Sequence, residues 1–254
     1  AAIAADVERH LIRDGQLAGY ALFGTDGDEP ELLMHPTDRR TGLRISLIPI
    51  TRSIIAGLLT GDAARHHWEL VNTQLRDPDG VRLMDRPPRY RGGIETIFRR
   101  AESAAYCGRE IGLMYVHAHL RYAEAAAVLG DADSLWWALR VVDPIGLRDV
   151  VPNASPRQRN TYFSSSDPAF PDRYIAGERW AELHRGGVPV EGGWRVYSSG
   201  PGLYLNALIR HGFGIRRSFG TRTMTPLLPA SLGRVTLCLT VDGRPQSWTV
   251  QAET

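Results

Sequence analysis

The chain has 254 residues, of which 43% are hydrophobic and 23% charged, which suits a packed globular core and excludes a disordered or collagen-like chain. Thirty basic residues against 28 acidic ones leave a net charge of +2. Bulk charge therefore gives no reason to expect nucleic acid or an anionic membrane as a partner.

Residues 1–13 read as a helix, with Ile3, Val7, His10 and Leu11 at helical spacing and Asp14-Gly15 as its stop. From Tyr20 to Pro36 the pattern is a loop or short hairpin, turning at Gly24-Thr-Asp-Gly27. Residues 45–59 predict a second helix, with Pro49 near its first turn and Ile50, Ile54, Ile55 and Leu58 on one stripe. Asp62 is placed to cap a third helix from Ala63 to Leu75, ended by Asp77-Pro78-Asp79-Gly80. A basic loop, Arg82 to Gly93, follows.

The segment 108–129, rich in Ala, Leu, Met, Glu and Arg, predicts the clearest helix, with Gly130 as its C-cap glycine. Asp131 or Asp133 caps the next, which carries Leu135, Trp136 and Leu139 and ends before Pro144. Residues 146–193 look mostly irregular and read as functional loops. A helix from about Gly202 to His211 comes next. From Val235 the residues alternate, and Asp242-Gly243 turns a hairpin into 247–250. A complete six-hairpin toroid takes twelve helices of about 11–12 residues each. About six or seven are read here, so the expected fold is mainly α. Residues 1–220 would be part of an (α/α)6 barrel, and 221–254 a small C-terminal β element.

Every basic residue is Arg, and with no Lys a Schiff base or a P-loop cation is excluded. Cys107 and Cys238 lie too far apart for a CxxC metal motif and predict no disulfide framework. No apolar run approaches the ~20 residues of a membrane span. The start has no basic segment before an apolar one, so no signal peptide is read and the cytoplasm is expected.

Three constellations could carry chemistry. In Gly108-Arg-Glu-Ile-Gly-Leu-Met-Tyr-Val-His-Ala-His119, a helix puts Glu110, Met114, His117, Arg121 and Glu124 on one face. His117 and His119 then diverge by about 200°, a poor metal pair. Spacing leaves His117 as either a half-buried core histidine or an imidazole donating to an anion. Glu191-Gly-Gly-Trp-Arg-Val-Tyr-Ser-Ser-Gly-Pro-Gly202 opens a helix. It reads as a phosphate cradle or as an ordinary Ser-capped helix start. Arg157-Gln-Arg-Asn-Thr-Tyr-Phe-Ser-Ser-Ser-Asp167, with Asp172-Arg173-Tyr174 beyond it, offers the groups of a sugar site or of a polar surface loop. His35 and the pair His66-His67 read as structural.

The motifs together resemble the C-terminal part of the 1,2-β-oligoglucan phosphorylases of glycoside hydrolase family 94. The matching stretches are Leu33-Met-His-Pro-Thr-Asp38, Asp79-Gly-Val-Arg-Leu-Met-Asp85, Gly108-Arg-Glu-Ile-Gly112, His117-Ala-His119, Asp143-Pro-Ile145, Tyr162-Phe-Ser-Ser-Ser-Asp167 and Gly193-Trp-Arg-Val-Tyr-Ser-Ser-Gly-Pro-Gly202. The resemblance implies an (α/α)6 barrel and inverting phosphorolysis of β-1,2-glucan to α-glucose 1-phosphate. It implies a phosphate site at His117, Ser198 and Ser199, and sugar contacts from Arg109 and Glu110. Ser198-Ser199 stand where the cellobiose branch has Thr-Gly.

The general acid and an Arg of the phosphate site are expected in upstream polypeptide of the same enzyme, because the family's Asp-Trp-Asn-Asp type motif is absent here. Phosphate is then a substrate, and no cofactor or metal is implied. The expected partners are a β-glucan oligosaccharide and phosphate, with neither nucleic acid nor membrane. A hydrolase on the same toroid, and a non-catalytic carbohydrate-binding or structural fragment, are the alternative readings.

Overall fold

The first residues form helix α1 (Ala2–Leu11), which stops because the next two residues pair as a strand. The computed structural model describes residues 2–25, 27, 29–87, 97, 114–155, 163–193, 199–241 and 243–252. Asp14 and Gly15 take φ of 53° and 75°. That left-handed pair turns β1 (Ile12–Arg13) onto β2 (Gln16–Leu17). The hairpin expected after Tyr20 pairs β3 (Tyr20–Leu22) with β4 (Glu31–Leu33). His35 is structural, as expected: it is buried, and its Nε2 donates to the Arg13 carbonyl at 3.0 Å.

Helices α2 (Leu47–Ile55) and α3 (Gly61–Gln74) follow. Thr60, not Asp62, takes the cap position of α3, and Asp62 lies in the first turn, where its charge suits the helix dipole. His67 is buried; its Nε2 accepts the Leu17 N–H at 2.9 Å, which ties α3 to β2. The expected helix stop at Asp77-Pro78-Asp79-Gly80 is also the turn between β5 (Arg76–Asp77) and β6 (Gly80–Val81).

The helix expected over 108–129 begins only at Val116, as α4 (Val116–Leu129); residues 108–113 lie outside the described residues. Met114 and Tyr115 form strand β7 (Met114–Tyr115) instead. Cross-strand pairing and burial override helix propensity here: Met114 pairs with Ser166, is fully buried, and seats its side chain over Gly80. Gly130 takes φ 75° as the C-cap, and Asp131 caps α5 (Ala132–Arg140) by accepting the Ser134 N–H at 2.9 Å.

The expectation of mostly irregular structure over 146–193 is wrong in its described part. The chain forms α6 (Leu147–Val150), β8 (Ser165–Pro168), α7 (Arg173–His184) and β9 (Val190–Gly193). Asp172 caps α7 by accepting the N–H groups of Tyr174 and Ile175 at 2.8 and 2.9 Å. Ala176, Trp180 and Leu183 bury the helix's inner stripe. Helix α8 (Ser199–Asn206) runs into a π-helical turn, Ala207–Gly212. Two hairpins end the chain: β10 (Ile215–Ser218) with β11 (Thr221–Met224), and β12 (Arg234–Val241) with β13 (Arg244–Gln251).

The described residues thus form a mainly helical fold with small antiparallel sheets. Helix α4 lies at its centre, against α2, α5 and α8. Leu47, Ile50 and Ile54 of α2 and Leu135, Ala138 and Leu139 of α5 are buried around it. Ala118, Ala123, Ala125 and Ala126 let these neighbours approach closely. Tyr122 stacks on Trp68, with ring centres 4.4 Å apart, and donates to Asn72 Oδ1 at 2.6 Å. No helix among the described residues is long and apolar enough to cross a membrane.

Gly214 joins the π turn to β10 at φ 66°, and a Cβ there would lie 1.8 Å from the Thr225 carbonyl oxygen. Gly214→Ala meets both a left-handed backbone and a backbone clash. It is expected to cost more than about 2 kcal/mol, read as a fall in urea midpoint. An alanine variant as stable as the parent would refute that reading of the turn.

Candidate functional site

The site is organised by the three-stranded sheet β7–β8–β9. Tyr115 pairs with Ser165, and Ser165 pairs on its other side with Gly193. Both pairings are antiparallel, so β7 and β9 run in the same direction. Tyr115 and Gly193 are the last residues of their strands and share one register row, two strand spacings or roughly 9.5 Å apart. The helix that carries His117 and the segment that leads to Ser199 therefore leave the same end of one sheet. Helices α4 and α8, which these segments become, pack on each other.

His117 lies in the first turn of α4, half-buried, with its ring stacked near Tyr115 at 6.0 Å and 9°. Ser199 is the first residue of α8, so the helix expected from about Gly202 starts three residues earlier. Its side chain, together with Ser198, Arg109 and Glu110, lies outside the described residues. Of the third constellation, residues 157–162 also lie outside them. Ser164, Ser165 and Ser166 are buried, the last two in β8, and not on a polar surface loop.

The expected divergence of the two histidines is observed. His119 is fully buried: its Nδ1 accepts the Val81 N–H at 3.1 Å and its Nε2 donates to the Ala138 carbonyl at 2.8 Å. Burial pushes its pKa down to about 4, so it is a neutral tie between β6, α4 and α5. His117 points the other way and shares its face with Arg121 and Glu124. Glu110 and Met114 do not extend that face, since Met114 belongs to β7 and Glu110 is outside the described residues.

Two residues join this face that sequence reasoning did not assign. Arg52, exposed in the last turn of α2, adds a cation opposite α4. His211, from the π turn, brings its Nε2 to 4.0 Å from Glu124 Oε1. That nitrogen is buried without a hydrogen-bond partner among the described residues. Arg121 Nη1 donates to Glu124 Oε2 at 2.5 Å. Burial lowers the pKa of His117, and Arg121 and then Arg52 lower it further. His117 is thus a neutral N–H donor near neutral pH, set near the Arg121 and Arg52 cations, with Glu124 the carboxylate paired to Arg121 among the described residues. Such a group favours an incoming anion, and its own pKa rises when one binds.

The sheet is pinned from beneath by buried charge. Arg82, expected in a basic loop, has no exposed surface. Its Nε donates to Asp77 at 2.8 Å, its Nη2 to both Asp79 oxygens at 2.7 Å, and its Nη1 to the Ser166 carbonyl at 2.8 Å. Ser166 Oγ donates to Asp79, and His184 of α7 is ion-paired with Asp77. Burial pushes the Asp79 carboxyl up, against the pull of Arg82. The motifs around Asp79 and Asp38 are therefore structural. Asp38 accepts the N–H groups of Met34, Arg40 and Thr41 at 2.8–2.9 Å and shapes the turn after β4.

The bond to Asp77 raises the pKa of His184 above its ordinary 6.5. A raised folded-state value means that the stabilisation is fully present below about pH 6.5 and is lost as pH rises through the raised value. The stability gap between the parent and His184→Ala is expected to shrink over that rise. Thermal melts of both at a series of pH values measure it; a gap that widens with pH would contradict the pairing.

Among the described residues no group of three His, Cys, Asp or Glu is arranged to hold a metal ion. Cys238 is a free, exposed thiol.

No protein-family model matches the chain. Over 250 residues, 98% of its length, the chain is 44% identical to the 1,2-beta-oligoglucan phosphorylase of Listeria innocua. The resemblance to 1,2-β-oligoglucan phosphorylases read from the motifs holds. At that coverage the similarity to the Listeria phosphorylase takes in the three-stranded sheet, the His117 helix and the Arg82 cluster alike. The chain spans 23% of the length of that relative.

Proposed function

We propose that this chain supplies the phosphate-binding part of an inverting phosphorylase that acts on β-1,2-linked glucans and releases α-glucose 1-phosphate. The observation that supports the reading is that β7 and β9 leave the same end of one sheet and that α4 and α8, which follow them in the chain, pack on each other. The 44% identity to the Listeria enzyme supplies the substrate class.

In this reading phosphate lies between the His117 imidazole, the Ser198 hydroxyl and the Ser199 backbone N–H at the start of α8. Arg52 and Arg121 raise the local potential that draws it in. A phosphate oxygen attacks the anomeric carbon as the bond to the leaving glucosyl oxygen breaks. A carboxylic acid from upstream polypeptide of the same enzyme protonates that oxygen. Attack from the opposite face turns a β-linkage into an α-phosphate, with phosphate in place of the base-activated water of an inverting hydrolase. Arg109 and Glu110 contact the sugar. The helices form part of an (α/α)6 barrel, followed by a small β element. No metal or cofactor takes part, and a charged product that crosses membranes poorly suits the cytoplasm.

The test is phosphate dependence. The full-length polypeptide that carries this segment is expected to shorten β-1,2-glucan only when inorganic phosphate is present. Equal release of reducing ends in phosphate-free buffer would make it a hydrolase. No turnover under either condition would favour a binding or structural role.

A further inference from the structure

Asp133, Trp136, Trp137 and Arg140 repeat along α5 at three- and four-residue steps and form one face. That face lines an open cavity of about 390 Å³, with Asp149 of α6 and Ser231 of the turn Ala230–Leu232 on its other sides. The volume falls in the ~300–1,000 Å³ range of small-ligand sites. No residue of α4 lines it, so it is separate from the His117 face.

Both indoles are already fixed. Trp136 Nε1 donates to the Leu227 carbonyl at 2.7 Å, and its ring meets Phe213 edge-on at 6.1 Å. Trp137 carries the Arg76 guanidinium 3.7 Å from its ring centre and meets Tyr122 edge-on at 6.0 Å. A ligand need not order these rings, which removes an entropic cost of binding. The polar groups around them are unspent. Asp133, Arg140, Asp149 and Ser231 are exposed, and among the described residues none has an ion pair or side-chain hydrogen bond.

A flat apolar wall with carboxylate acceptors, a guanidinium and a hydroxyl at its rim matches a pyranose ring. The ring's C–H face lies on an indole and its hydroxyls reach both donors and acceptors. A purely apolar ligand would make no use of the polar rim, and an ion of either sign would meet its own charge there. We propose that this cavity is a second glucan-binding site, which holds glucosyl units of a long chain away from the phosphate site. The choice of glucan rests on the proposed function. Its consequence is a tether: a chain held here raises the effective concentration of its end at the reacting centre.

Affinity electrophoresis of the full-length polypeptide in gels containing β-1,2-glucan tests the site. The parent is expected to be retarded. Asp149→Ala and Arg140→Ala, both surface changes, are expected to weaken retardation about tenfold, the effect of losing one charged hydrogen bond. Phosphorolysis of a short oligoglucan should stay within about twofold of the parent, since the tether acts only on long chains. Retardation unchanged in both variants would overturn the proposal. So would loss of short-substrate turnover alongside retardation, or a segment of the protein's own chain found filling the cavity. Retardation that depends on these residues in a protein without phosphorolysis would uphold the site and remove the enzymatic reading instead.

Discussion

Arg82→Leu is expected to destabilise the protein by about 3–5 kcal/mol, the range for removing one partner of a buried ion pair. The leucine fills part of the space but leaves Asp77 and Asp79, both almost fully buried, without their shared cation. Arg82→Lys should rescue little. One ammonium cannot reach Asp77, both Asp79 oxygens and the Ser166 carbonyl in the fork geometry that the guanidinium spans. Adding Asp77→Asn and Asp79→Asn to Arg82→Leu should recover part of the loss, because it removes the stranded charges. Urea unfolding gives the difference from the shift in midpoint at constant slope. A loss below about 1 kcal/mol, the range of surface pairs, would show that the cluster is not desolvated as described. Because Arg82 holds β8, and β8 holds β7 and β9, this variant should also lose activity through misplacement of the site.

His117→Ala is expected to lower phosphorolysis by the full-length enzyme about 10²–10³-fold, as when one preorganised donor to a reacting anion is removed. The loss should leave the unfolding midpoint nearly unchanged, since His117 is half-exposed and outside the buried core. His117→Asn should restore part of the rate, because its amide can donate where the imidazole did. Phosphate added to the parent should raise the pKa of His117, as the incoming negative charge offsets Arg121 and Arg52. Proton NMR of the imidazole across a pH series measures this directly. Full activity in His117→Ala would remove this residue from the site.

The helices with caps and stripes were legible in the sequence: α2, α3 and α5 start within two residues of where Pro49, Asp62 and Asp131 pointed, although α2 ends at Ile55, four residues short of the expected 59. Helix α7 was equally available, through Asp172 and the spacing of Ala176, Trp180 and Leu183, but its polar flanks drew the reading to a loop. The strand Met114–Tyr115 was not available, because its pairing partner lies about 50 residues away. The burial of Arg82 is likewise a long-range fact, completed by Ser166 and by His184 beyond it.

At the site, the separation of His117 from His119 followed from helical geometry. Arg121 and Glu124 were on the expected face but had no assigned role. His211 was invisible to periodicity, since the π turn adds a residue and shifts the phase by which a helical face is read. Arg52 comes from another helix and carried no local signal.

In the proposed reaction phosphate, not water, takes the glucosyl unit at a site built on His117 and the start of α8. The most direct measurement is a ³¹P and ¹H NMR time course of the full-length polypeptide with β-1,2-oligoglucan and inorganic phosphate. A sugar-phosphate signal in the α configuration is expected to grow as phosphate is consumed. Free glucose appearing while phosphate stays constant would contradict it.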